Sequence, residues 1–291
     1  MTFHGSLVAI ITPFRNGQVD EKALGDLIEW QIANGTDGIV PCGTTGESAT
    51  LTHEEHKRVV EFTIEAVKRR VPVIAGTGSN ATDEAIEFTR HARSVGADAA
   101  LLISPYYNKP TQEGLYRHHK AIAEAVDIPQ ILYNIPGRTA VNMAPATVAR
   151  LAQFKNIVGI KEGAGSLQQV SEIVQACGDR FTVLSGDDAL TLPMMAVGAK
   201  GVITVTANIA PADMAAMVDV WEAGNVAKAR ALHFKLYPLF QALFFETNPV
   251  PVKHALALMG RATADVRLPL CAMSQENLDK LTRVMKDYGL V

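Results

Sequence analysis

The sequence predicts an α/β protein, a (β/α)8 barrel of the TIM type with a C-terminal helical appendage. Three observations carry that expectation. Eight short β-branched runs recur along the chain. Amphipathic helical patterns lie between them. The interval from run to run is mostly about thirty residues, the size of one βα unit.

The runs are LVAIIT (7–12), GIVPCG (38–43), VPVIAG (71–76), AALLIS (99–104), QILYNI (130–135), IVGIKE (157–162), FTVLSG (181–186) and GVITVT (201–206). Most are apolar on both faces, as strands of a helix-covered parallel sheet must be. Between the first two, Asp20 caps a helical pattern with Leu24, Leu27, Ile28 and Ile32 on one face, stopped by Gly35. Thr52 and Glu55 form a capping box ahead of Val59, Val60, Thr63, Ile64 and Val67. Ser166 with Gln169 repeats that box ahead of Val170, Ile173 and Val174. Gly96 and Gly178 stand where helices should stop.

The strand runs end near Gly224. NVAKARALHFKLYPLFQALFFE then reads as a long helix with a kink expected at Pro238. PVPVKHALALMG and SQENLDKLTRVMKDYG read as two more helices. The expected organisation is a barrel over 1–224 that carries the active site, and a helical domain over 225–291. The rival is a doubly wound open sheet. GTGSNA (76–81) resembles a dinucleotide-binding turn after a strand, but the next strand run closes in Ile103-Ser104-Pro105-Tyr106, without the acidic residue such a site needs.

Composition narrows the function. The chain has 291 residues, 48% apolar and 20% charged, with a net charge of −3. No basic stripe appears, which argues against nucleic acid as a partner. The apolar runs are far shorter than a membrane span. The first strand run begins too close to Met1 for a signal or transit peptide, so a cytoplasmic location is expected. Cys42, Cys177 and Cys271 are widely spaced, which fits a reducing compartment and small buried hydrophobes rather than a disulfide framework.

In barrels of this kind the active site lies at the C-terminal ends of the strands. There the sequence places Gly43-Thr44-Thr45-Gly46-Glu47-Ser48, Pro105-Tyr106-Tyr107-Asn108, Tyr133 with Pro136-Gly137-Arg138-Thr139, Lys161-Glu162, and Gly186-Asp187-Asp188. Each has a plain reading. The Gly-Thr-Thr-Gly stretch is a turn, though its N–H groups can also cradle a carboxylate or phosphate. Tyr106 and Tyr107 can be rim aromatics, Tyr133 core, and Arg138 a solvated charge. Asp187 and Asp188 read best as helix caps.

Lys161 is harder to dismiss. It closes an apolar strand and has no easy route to water. Burial would lower its pKa, and a neutral amine attacks carbonyls to form a Schiff base. The plain reading is a buried salt bridge with Glu162, but neighbours on a strand point to opposite faces. Motifs for a serine nucleophile, a phosphate-binding lysine loop or a zinc helix are absent. HEEH (53–56) puts two histidines one turn apart, without a third ligand cluster.

With these residues laid out, the chain resembles the dihydrodipicolinate synthase family over essentially its whole length. The resemblance is carried by GSLVAIITPF, GTTGESATL, VPVIAGTG, PYYNKPTQEGLY, ILYNIPGRT, GIKE, LSGDD, GVITVTAN and NPVPVKHAL. It implies condensation of pyruvate, held as an imine on Lys161, with L-aspartate 4-semialdehyde, with no cofactor and no metal. It implies Tyr133 as proton relay, linked by Thr44 to Tyr107 of a neighbouring subunit. Thr44 and Thr45 would hold the pyruvate carboxylate and Arg138 that of the semialdehyde. Gly186 and the Ile203 carbonyl would shape the floor. It further implies a homotetramer built as a dimer of tight dimers. Inhibition by L-lysine would act through Ser48, Ala49, His53, His56, Asn80, Glu84 and Tyr106. Gly163 departs from the family pattern of alanine or serine, a freedom that would loosen its loop. Cys42, beside the Gly-Thr-Thr-Gly motif, is expected to be inertly buried.

Two other functions compete. A sister pyruvate aldolase acting on sialic acid or a keto-deoxy sugar would share the barrel, lysine and tyrosine, though Arg138 and Tyr107 favour a small acidic aldehyde. A non-catalytic barrel that senses an amino or keto acid is the third reading, and the filled catalytic positions argue against it.

Overall fold

A computed structural model describes residues 3–291. Strands form at all eight runs: β1 (Gly5–Ala9), β2 (Gly38–Val40), β3 (Ile74–Gly76), β4 (Ala99–Ile103), β5 (Gln130–Asn134), β6 (Ile157–Glu162), β7 (Thr182–Ser185) and β8 (Gly201–Thr204). Each is followed by a helix: α1 (Glu21–Ala33), α2 (His53–Val67), α3 (Thr82–Val95), α4 (Gln112–Ala125), α5 (Pro145–Leu151), α6 (Leu167–Cys177), α7 (Thr191–Ala196) and α8 (Pro211–Glu222). This is the (β/α)8 barrel the spacing predicts. Three more helices close the chain: α9 (Val226–Ala242), which continues on both sides of Pro238, α10 (Val250–Leu258) and α11 (Gln275–Tyr288). Among the described residues, no helix is long and apolar enough to cross a membrane.

The described residues form two compact units, 3–5 with 72–203, and 6–71 with 204–291. In the first unit, β3 to β8 lie side by side in chain order and run parallel. That run has no reversal of strand order, so it lacks the switch point at which a doubly wound sheet binds a dinucleotide. The glycine pattern of GTGSNA has another cause. A Cβ on Gly78 would lie 2.3 Å from the backbone nitrogen of Ile103, so the turn after β3 crosses the end of β4 too closely for any side chain. The same unit buries two histidines on α4. His118 Nδ1 lies 2.9 Å from Thr82 Oγ1, and its ring meets that of His119 edge-on at 4.9 Å. His119 is fully buried, and neither ring nitrogen has a hydrogen-bond partner among the described residues.

In the second unit, β1 pairs with β2 in parallel register, Leu7 opposite Gly38 and Ala9 opposite Val40. The first run was expected at 7–12, and the strand stops at Ala9 because the chain beyond it bonds elsewhere. The Ile11 N–H donates to Asn208 Oδ1 at 3.2 Å, and the Thr12 hydroxyl to the Gly46 carbonyl at 2.7 Å. A small antiparallel ribbon follows, Phe14–Arg15 with Gln18–Val19. Its turn is Asn16-Gly17, both at positive φ, which is the geometry a two-residue hairpin demands.

Two capping expectations came out differently. At α2 the box is complete: Thr52 Oγ1 accepts from the Glu55 N–H, and Glu55 Oε2 from the Thr52 N–H. At α6 only half forms. Ser166 accepts from the Gln169 N–H, but the Gln169 carboxamide donates to Glu162 and Asn142 instead of reaching back.

Candidate active site

Lys161 and Tyr133 are the penultimate residues of β6 and β5 and are register partners. Both are buried, at 6% and 5% exposure, and the lysine Nζ stands 4.4 Å from the centre of the phenol ring. Burial pushes the Lys161 ammonium down to about 8. The Asp188 carboxylate opposes that shift and the Arg138 guanidinium reinforces it. A lysine closing an apolar strand therefore has a physical explanation. The amine is held where a substantial neutral fraction exists near physiological pH.

Arg138 sits exposed on the single helical turn Pro136–Thr139 directly after β5. Gly186 follows β7; its N–H donates to the Glu162 carbonyl at 2.7 Å, and a Cβ there would lie 3.0 Å from that oxygen. Ile203 is buried on β8. Tyr107 is 90% exposed, on a backbone at positive φ (71°). The caps divide: Asp187 accepts from the Ala189 N–H as expected, whereas Asp188 is buried and acts on Lys161 through its charge. The capping expectation for Asp188 therefore gives way to an electrostatic one.

The outward neighbours of the two strand-end residues also pair. Asn134 lies in register with Glu162, and its Nδ2 donates to both carboxylate oxygens at 3.1 Å. Glu162 further accepts from Gln169 Nε2 at 3.1 Å and the Ala164 N–H at 2.7 Å. Asn134 Oδ1 accepts from the Met143 N–H at 2.9 Å, which ties the same group to the chain after Arg138. Burial still pushes the Glu162 carboxyl up, with these hydrogen bonds opposing. Gly163 donates its N–H to the Asn134 carbonyl at 2.8 Å, and a Cβ on it would meet that carbonyl at 3.2 Å. The loop expected to be loosened by Gly163 is tied to β5 by that bond and to Glu162 by the Ala164 N–H.

In the second unit, Thr44 and Thr45 lie on the turn after β2. The N–H groups of Glu47 and Ser48 are spent on the carbonyls of Thr44 and Gly43, so an anion cradle there would draw on the two threonines. Thr45 is buried, and its hydroxyl accepts from Asn248 Nδ2 at 3.0 Å. Cys42 is fully buried and burial pushes its thiol up, which keeps it unreactive.

The residues expected to bind lysine fall into two groups. Ser48, Ala49, His53 and His56 follow one another on the short turn Ser48–Thr50 and the first turn of α2, with His53 exposed and His56 buried. Asn80, Glu84 and Tyr106 are gathered in the first unit. Asn80 Nδ2 donates to the Tyr106 carbonyl at 3.2 Å, Glu84 accepts a short hydrogen bond from Ser79, and burial followed by the Glu84 charge pushes the Tyr106 phenol up. Among the described residues no group of three or more His, Cys, Asp or Glu side chains could hold a metal ion.

The model of the dihydrodipicolinate synthetase family matches residues 2–288. The chain belongs to that family. A 4-hydroxy-tetrahydrodipicolinate synthase from Syntrophus aciditrophicus (strain SB) is 64% identical over 289 residues, covering 99% of each chain. Among solved structures, the chloride-inhibited dihydrodipicolinate synthase from Acinetobacter baumannii complexed with pyruvate superposes with a TM-score of 0.98, at 48% identity and full coverage of both chains. The enzyme from Cyanidioschyzon merolae with lysine bound superposes at 0.97, with 40% identity and 99% coverage of both.

Sequence reasoning missed Asp188 as a partner of Lys161, and the Asn134–Glu162 pair. The second carried a signal. Two strand-end residues of polar type, each one place after a candidate catalytic residue, share the opposite face of neighbouring strands.

Proposed function

We propose that the chain condenses pyruvate with L-aspartate 4-semialdehyde to give 4-hydroxy-tetrahydrodipicolinate, as a lyase of the class I aldolase type. The observation that carries this is the buried Lys161 amine beside the Tyr133 phenol, with its pKa lowered to about 8. The neutral amine adds to the ketone carbon of pyruvate and loses water, leaving an imine. Loss of a methyl proton gives the enamine, whose carbon attacks the aldehyde of the second substrate. Tyr133 carries protons to and from the imine carbon's leaving oxygen and the new alkoxide. The amine of the adduct then attacks the imine carbon and displaces Lys161, which closes the ring and frees the enzyme.

The remaining roles are assigned by matched position. Thr44 and Thr45 hold the pyruvate carboxylate, and Thr44 joins Tyr133 to Tyr107 of a neighbouring subunit. Arg138 takes the carboxylate of the semialdehyde, a task its planar fork suits. Gly186 and the Ile203 carbonyl form the floor. The exposure of Tyr107 supports a role at a subunit contact. We infer a cytoplasmic homotetramer, a dimer of tight dimers, in the diaminopimelate and lysine pathway. L-lysine would inhibit it through Ser48, Ala49, His53, His56, Asn80, Glu84 and Tyr106. The pyruvate-bound and lysine-bound relatives support these assignments.

The test is borohydride trapping with pyruvate, followed by a coupled assay with the semialdehyde in the presence and absence of L-lysine. A trapped adduct on Lys161, turnover that vanishes in Lys161→Ala, and loss of rate with lysine are expected. An adduct without turnover on the semialdehyde would move the sugar-type aldolases ahead.

A further inference from the structure

Glu47 ends the Gly43–Glu47 turn in the left-handed conformation, at φ 53°, which is uncommon for a residue of its kind. Its carboxylate explains how it stays there. Oε1 is in direct contact with Nζ of Lys253, and the two side chains are 1% and 0% exposed. Oε2 accepts the Arg267 N–H at 3.1 Å. The Lys253 ammonium also donates to the Asp265 carbonyl at 2.8 Å and lies 4.0 Å above the Phe14 ring. Asn248 grips the Thr45 hydroxyl, and the Arg267 guanidinium donates to the Thr50 carbonyl at 3.0 Å and forms a two-pronged pair with Glu55. The stretch from Thr45 to Glu55 is thus tied at Thr45, Glu47, Thr50 and Glu55 to one later stretch, 248–267.

A buried ion pair is a poor source of stability, because desolvation of both charges offsets their attraction. What such a pair can supply is a single geometry, and here the two carboxylate oxygens meet two fixed partners, Lys253 and the Arg267 N–H. Gly46 leaves little slack on the other side: a Cβ there would sit 3.0 Å from the Cys42 nitrogen. The turn is clamped from both directions.

We propose that Lys253 and Asn248 are positioning residues for the first substrate: through Glu47 and Thr45 they set the place of the hydroxyls and N–H groups that receive the pyruvate carboxylate. This rests on the reading that Thr44 and Thr45 hold that carboxylate. Both act through the turn that receives pyruvate and have no assigned contact with the semialdehyde, so the larger effect should fall on pyruvate.

Steady-state kinetics on two variants would decide it, with thermal melting alongside. Asn248→Ala removes the grip on Thr45 and leaves the ion pair. Glu47→Gln with Lys253→Met replaces the charged pair by a neutral one of similar shape. Both are expected to raise the KM for pyruvate tenfold or more, with the KM for the semialdehyde and the imine trapped at saturating pyruvate held within twofold. A pyruvate KM within twofold of wild type together with a lowered melting temperature would show a merely structural clamp and overturn the proposal. If the double variant does not fold, Asn248→Ala decides alone by the same criterion. Wild type that traps no pyruvate at all would overturn the underlying reading, and this proposal with it.

Discussion

Tyr133 and Lys161 stand directly opposite each other on adjacent parallel strands, the amine 4.4 Å from the ring centre. A parallel ladder brings register partners to the same face, so residues one strand apart in sequence order meet without any loop to place them. With the amine near pKa 8, imine formation at low pyruvate should fall about tenfold per pH unit as pH drops below that value, and level off above it. Rates of borohydride-trappable adduct across that range test this. A flat profile down to acid pH would mean the amine is neutral for another reason.

Arg138→Lys keeps the charge and loses the fork. A bidentate grip on a carboxylate exceeds a point contact by about 1.5 kcal/mol, so the KM for the semialdehyde should rise by about tenfold. Trapping with pyruvate should not change. Equal losses for both substrates would place the guanidinium elsewhere in the reaction.

The barrel was legible because its strands are short, apolar and evenly spaced, and a period needs no knowledge of partners. Lys161 was legible because a cation at the end of an apolar strand conflicts with its surroundings. Lys253 was not, since a lysine within a helical run reads as solvated. Yet α10 is apolar nearly all round, and Val250 to Leu256 are all buried. A helix of that kind cannot release a lysine to water, which is the sign that could have exposed it. Its carboxylate partner on Glu47 lies too far away in sequence for any local pattern to link them. Asn134 and Glu162 were hidden differently. Each looks like an ordinary polar strand end, and only the register joins them.

Gly78→Ala should damage the fold rather than the chemistry. The added methyl would meet backbone at 2.3 Å from Ile103 N and 3.0 Å from Leu102 C, and neither atom can rotate away. A loss of about 3 kcal/mol is expected, read as a lower urea midpoint at unchanged slope. A variant as stable as wild type would show that the turn after β3 has room to move.

His119→Leu should do the opposite. The ring is fully buried without hydrogen-bond partners, and burial holds both neighbouring histidines neutral, His118 down to about 4 and His119 well below its ordinary value. A histidine whose folded pKa is depressed binds fewer protons folded than unfolded. Its neutral form therefore supports stability fully above about pH 6.5, and that support drains away as pH falls toward 4. The leucine variant should gain about 1 kcal/mol at neutral pH and lose less than wild type between those two values. Parallel melting curves at each pH would sink this account.

The ties at Thr45 and Glu47 span 203 and 220 residues of chain. At ribosomal speeds, about 10–40 s separates the synthesis of Glu47 from that of Arg267. Until Lys253 is made, near the end of that interval, the nascent chain carries Glu47 without either of the groups that hold its left-handed backbone. The turn is among the first parts made and among the last to be set. A frameshift or premature stop after β8 and ahead of Asn248 would leave a polypeptide with all eight strand segments present and this turn unfixed.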